Sequence, residues 1–91
     1  MKTFPLVVSS PDGDLFRGDV IRLSLRGSEG DLAVMAGHIP FVTAVKPGKI
    51  VIELLEEDKI AHSDGGILSV SENTVTLLSG SFTWTDDPDT N

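Results

Sequence analysis

The feature that most constrains this chain is an apolar period of two, interrupted at short intervals by turn signals. From Asp19 to Arg26, Ile21, Leu23 and Leu25 fall on one side, and Arg22, Ser24 and Arg26 on the other. Successive side chains of a strand point to opposite faces, so this predicts a strand with one face on a core and one in water. Lys49 to Leu55 repeats the pattern, with Ile50, Ile52 and Leu54 against Val51 and Glu53, and Leu68 with Val70 and Val75 with Leu77 continue it. Phe4, Leu6 and Val8 open the series; Pro5 has no amide to donate and predicts an edge position.

Between these segments stand Pro11-Asp12-Gly13, Gly27-Ser28-Glu29-Gly30, Pro47-Gly48, Glu56-Glu57-Asp58, Ser63-Asp64-Gly65-Gly66 and Ser71-Glu72-Asn73. Gly supplies positive φ, Pro presets φ, and Asp or Asn bonds its own backbone, so each marks a turn. No stretch sustains a 3.6-residue period. Many short strands at such spacings predict a single all-β domain, a sandwich or a barrel. Ninety-one residues suffice for one domain. It is expected over 1–84, with 85–91, which carries Asp86, Asp87 and Asp89 around Pro88, as an acidic flexible tail.

Charge and composition exclude several classes. The net charge is −7, whereas nucleic-acid binding depends on cations that displace phosphate counterions. The same shortage disfavours a polybasic membrane anchor. With no cysteine, a disulfide scaffold, a thiolate metal site and a Cys nucleophile are all absent. The amino-terminal segment turns polar too early for a signal peptide, and no apolar run approaches the roughly 20 residues that span a bilayer. The chain is expected to be soluble and cytoplasmic.

Chemistry-bearing motifs are weak. His38 and His62 lack the spaced partners of a metal set, and His62 is expected to point outward or cap a strand end. Asp12 and Asp14 begin like a calcium loop, but Phe16 and Gly18 occupy the next alternate positions, so a hairpin turn fits better. Gly27-Ser28-Glu29-Gly30 has the form of a Gly-x-x-Gly nucleic-acid clamp, yet Glu29 and Asp31 would repel phosphate. No nucleophile–base pair is legible, which leaves a small hydrolase the weakest reading; no metal or cofactor is expected. Arg22 and Arg26 share an outward face with Arg17 nearby, either as a solvated surface or as a docking face for an acidic partner. Glu56-Glu57-Asp58 fits a solvated hairpin tip. Gly27 to Pro40 sets small turn-formers and His38 around Leu32-Ala33-Val34-Met35, a loop-rich stretch suited to interaction.

The same stretch carries a resemblance. Gly27-Ser28-Glu29-Gly30-Asp31-Leu32, Gly37-His38-Ile39-Pro40 and Thr43-Ala44-Val45-Lys46-Pro47-Gly48 resemble the epsilon subunit of F-type ATP synthases. So do Gly65-Gly66-Ile67-Leu68-Ser69-Val70, Asn73-Thr74-Val75-Thr76-Leu77-Leu78, and the leading Val7-Val8-Ser9-Ser10-Pro11 with Phe16-x-Gly18. The blocks keep their order from about Leu6 to Phe82.

The resemblance implies an all-β fold, a single flattened β-sandwich of short antiparallel strands, and a non-catalytic rotor component of the central stalk. Its partners would be the gamma subunit and the c-ring, on the cytoplasmic face of a bacterial-type membrane reached only through the complex. Gly27, Ser28, Glu29, Gly30 and Asp31 would form the tip facing the ring, and Ser10, His38 and Thr43 would lie on or near the surface facing gamma and the ring. Gly37 and Pro40 would hold His38, and Gly65 and Gly66 would allow close backbone approach. Ala36 stands where the family usually has Pro, which implies a looser loop. Family members normally continue into a helical pair that inhibits hydrolysis and in some cases binds ATP; no such role falls to these residues. The competing expectation is a free-standing β-sandwich that binds a small ligand, with Trp84 and the four Phe as its aromatic material.

Overall fold

The structure is a computed structural model that describes residues 2–85, so all but the first residue of the acidic tail expected over 85–91 lies outside the described residues. Ten strands follow in chain order: β1 (Phe4–Ser10), β2 (Gly13–Val20), β3 (Arg22–Gly27), β4 (Gly30–Met35), β5 (Phe41–Val45), β6 (Gly48–Glu53), β7 (Asp58–Ser63), β8 (Gly66–Val70), β9 (Val75–Ser79) and β10 (Phe82–Trp84). Among the described residues there is no helix. The strands join in the order β10-β7-β6-β3-β5-β8-β9-β1-β2, with β4 on the other side of β3.

This sheet folds over at β3. Arg22 to Ser24 pair with β6, but Gly27 pairs with Val45 of β5, and Lys46 donates its amide to the Arg26 carbonyl at 2.9 Å. Two layers result, β4-β3-β6-β7-β10 and β5-β8-β9-β1-β2. Leu23, Leu25, Ile50 and Ile52 of the first meet Leu6, Val8, Leu68 and Leu77 of the second in one buried cluster. These are the residues that the two-residue period assigns to the inner face. Burying each aliphatic side chain contributes about 1.5–3 kcal/mol.

Two expectations need correction. The strands are antiparallel with one exception, since β1 runs parallel to β9. A hairpin cannot make that pair; here the rest of the domain serves as the crossover between them. Pro5 does not lie on an edge strand, because β1 sits between β9 and β2. The ladder with β9 begins only at Leu6, so the missing amide of Pro5 leaves no gap in it.

Two devices close the seams between the layers. Phe16 of β2 meets Trp84 of β10 with ring centroids 6.1 Å apart, and Phe82 lies 5.1 Å from Trp84, both edge-on. At another seam Ser63 and Ser79, both buried, bring their hydroxyls within 2.8 Å. Ser79 Oγ donates to the Ser81 carbonyl at 2.8 Å, which uses its only proton. Ser63 Oγ therefore donates to Ser79 and accepts from the Gly65 amide at 2.9 Å.

Candidate docking site

β3 and β4 form a hairpin with Gly27 opposite Gly30 and a Ser28-Glu29 tip. Because β3 ends beside β5, the tip reaches over that strand. Ser28 Oγ lies 3.4 Å from Thr43 Oγ1, and residues 27–31 enclose a depression of about 300 Å³ with Phe41, Val42 and Thr43. Glu29 and Asp31 are exposed, and Asp31 sits 3.5 Å from Arg26 without a hydrogen bond between them.

His38 stands in the segment that leads into the same strand. Gly37 adopts φ +87°, a left-handed turn that side chains disfavour, and Pro40 leads into β5. Between them the His38 ring tilts against Phe41, centroids 5.2 Å apart. Ser10 is elsewhere: it closes the β1–β2 turn, accepting from the Asp12 amide at 3.2 Å and donating to the Gly13 carbonyl at 3.3 Å. A depression of about 340 Å³ adjoins it, walled by Pro11, Leu78 and Gly80. The structure thus joins residues 27–31 with Thr43, sets His38 in the segment that precedes β5, and leaves Ser10 apart. Gly65 and Gly66 lie where the chain crosses between layers. A Cβ on Gly65 would come 2.7 Å from the Val45 carbonyl oxygen, and one on Gly66 would run into the Leu78 carbonyl.

One surface escaped the sequence reading. The outer face of β5, β8, β9 and β1 carries two cross-strand rows, Ala44–Ile67–Leu78–Ser9 and Val42–Ser69–Thr76–Val7. Neither row contains a charge. Val42 is 68% exposed, Leu78 49% and Ile67 44%. The rows end at β2 on Asp14 and Arg17, which neutralise each other at 2.7 Å. The signal was available: Phe41-Val42, Ile67-Leu68 and Leu77-Leu78 each put apolar residues on both faces of a strand, where a half-solvated strand would alternate.

The candidate metal-loop residue Asp14 is engaged within its own hairpin, accepting from Ser9 Oγ at 2.7 Å and from Arg17. The hydrogen bond from Ser9, then that from Arg17, hold its carboxyl below the ordinary aspartate range. Glu53 grips Arg22 through two hydrogen bonds, 2.6 and 3.3 Å long, and raises its already high pKa. Trp84 lies in the aromatic seam, with Lys59 Nζ 5.4 Å from its ring centroid. Among the described residues no helix is long and apolar enough to cross a membrane.

A folded-over sheet with an acidic hairpin tip and an uncharged outer face defines a β-sandwich domain with the surface of an interaction module. Residues 3–85 match the family described as ATP synthase, Delta/Epsilon chain, beta-sandwich domain, and the chain belongs to that family. The family is that of a non-catalytic stalk subunit of the ATP synthase. Among solved structures, a chain of the Euglena gracilis mitochondrial ATP synthase, imaged with OSCP, F1 and c-ring, is similar with a TM-score of 0.85 and 21% identity; the match covers 98% of this chain and 56% of that one. A chain of the Tetrahymena thermophila mitochondrial ATP synthase central stalk and c-ring is similar with a TM-score of 0.78 and 16% identity, over 97% of this chain and 69% of that one. At these identities the likeness is one of fold.

Proposed function

We propose that this chain is a rotor component of an F-type ATP synthase, held against the gamma subunit by the outer face of β5-β8-β9-β1 and against the c-ring by the tip at residues 27–31. It then couples ion-driven rotation of the ring to gamma without chemistry of its own, and it meets the membrane only through the complex, on the cytoplasmic face of a bacterial-type membrane. The observation that carries this reading is the uncharged apolar face on a chain of net charge −7. Charge depletion around exposed aliphatic side chains is the mark of an interface core, and such a face is costly to leave in water. The tip has the opposite chemistry: Glu29 and Asp31 suit basic or polar loops on the ring. Thr43 lies beside the tip, His38 precedes β5, and Ser10 adjoins Leu78 of the apolar face.

Calorimetric titration of the chain into gamma from the same genome tests the reading, with one-to-one binding at about micromolar or tighter as the expected result. Asp31→Lys should lower retention on isolated c-ring and leave gamma binding intact. Absence of gamma binding with both proteins folded, or equal retention of Asp31→Lys on the ring, would overturn the corresponding contact.

A further inference from the structure

We infer that the gap between β3 and β6 on the outer face of the first layer binds a small phosphate-bearing anion. The ladder between these strands stops at Ser24↔Val51, because β3 then turns away to meet β5. Had it continued, Arg26 and Lys49 would stand opposite each other at the roughly 5 Å of a cross-strand pair, where like charges repel. Instead the strands part, and a depression of about 450 Å³ opens between the two cations, lined also by Ser24, Leu25, Asp31, Leu32, Ala33 and Val51.

Among the described residues the donors around this gap are only lightly engaged. Of the other cations, Arg17 and Arg22 are committed to Asp14 and Glu53, and Lys59 lies over Trp84. Lys49 makes no ion pair among the described residues, and Ser24 Oγ no hydrogen bond there. Among the described residues Arg26 is ion-paired only with Asp31, at 3.5 Å, with both side chains largely in water. His62, exposed and opposite Lys49 across the β6–β7 ladder, adds a further nitrogen at the margin. A guanidinium, an ammonium and a hydroxyl around one hollow match the several acceptor oxygens of a phosphate group.

The Asp31 carboxylate on the rim opposes the anion and competes with it for Arg26. The net charge of −7 also works against a membrane surface or a nucleic acid, whose many charges meet the whole protein. A small anion inside the hollow responds mainly to the nearest cations, because more distant exposed charges are screened over about 8 Å at physiological salt.

The test is titration of the isotopically labelled chain with inorganic phosphate at constant ionic strength, balanced with chloride, and read from amide chemical shifts. Saturable shifts confined to Ser24, Arg26, Ala33, Lys49 and Val51 are expected, with a millimolar midpoint. Arg26→Gln and Lys49→Gln should each weaken binding by about tenfold or more, the loss of one charge-assisted hydrogen bond. Asp31→Asn should tighten it several-fold by removing the competitor. Shifts reproduced by chloride alone, or unchanged in Arg26→Gln, would overturn the site. So would co-sedimentation with phosphatidylglycerol vesicles without saturable phosphate shifts, since that would assign the cations to a lipid surface. Gamma and c-ring binding enter none of these readouts, so this site and the rotor reading stand or fall separately.

Discussion

Asp14 illustrates how one exposed carboxylate shapes a turn. Its bonds to Ser9 and Arg17 exist only in the folded chain, so its pKa there lies below the value in the unfolded chain. A depressed carboxyl stabilises the fold at pH values above the unfolded pKa, and that contribution disappears as the pH falls through the folded one. Thermal melts of the parent and Asp14→Asn should therefore differ most near neutrality and converge in acid. A difference that is constant with pH would show that Asp14 does not titrate with folding. The buried hydroxyls behave differently. Ser63→Ala leaves the Gly65 amide without its acceptor in a buried corner, and it should cost about 1–3 kcal/mol by denaturant unfolding. Ser79→Ala removes the acceptor of Ser63 and should cost a comparable amount, while the double variant should cost less than the sum because both act on one chain of bonds.

At the scale of strands, the inner faces were legible and the connections between layers were not. Leu23, Leu25, Ile50, Ile52, Leu68 and Leu77 are buried where their parity puts them, because a two-residue period is a direct consequence of the pleat. The fold-over at β3 leaves no such mark, since it depends on which strand Gly27 meets, a matter of tertiary pairing. The parallel β1–β9 pair was hidden for the same reason. Of the candidate site, the 27–31 tip could be read from its glycines, but its nearness to Thr43 comes from the fold-over alone. The apolar outer face was written in adjacent apolar pairs and was masked by the alternation around them. Val42→Asp and Leu78→Asp place a charge at positions exposed on the outer face and outside the buried core, so melting temperatures should stay within a few degrees. Each should weaken gamma binding in the calorimeter at least tenfold, as expected for a charge desolvated at an interface core. Unchanged affinity in both would move the gamma contact to another face.

For the whole molecule, the two proposed contacts differ in the force that would hold them, and salt separates them. The outer face of β5-β8-β9-β1 has no charge in its two rows, so its association with gamma would be driven by apolar burial, which ordinary salt concentrations do not screen. The tip offers Glu29 and Asp31, both exposed, to charges on the ring, and exposed pairs weaken as the Debye length shortens from about 10 Å at 0.1 M to 3 Å at 1 M. Between 50 and 500 mM sodium chloride, gamma affinity is expected to change by less than about threefold, with the negative heat-capacity change that marks apolar burial. Retention on detergent-solubilised c-ring is expected to fall over the same range, and Asp31→Asn should flatten that dependence. If the two contacts answered to salt alike, the division of labour between face and tip would be wrong even with both partners bound. A steep loss of gamma affinity would point instead to the charged outer face of the first layer, where Arg22, Arg26 and Lys49 stand.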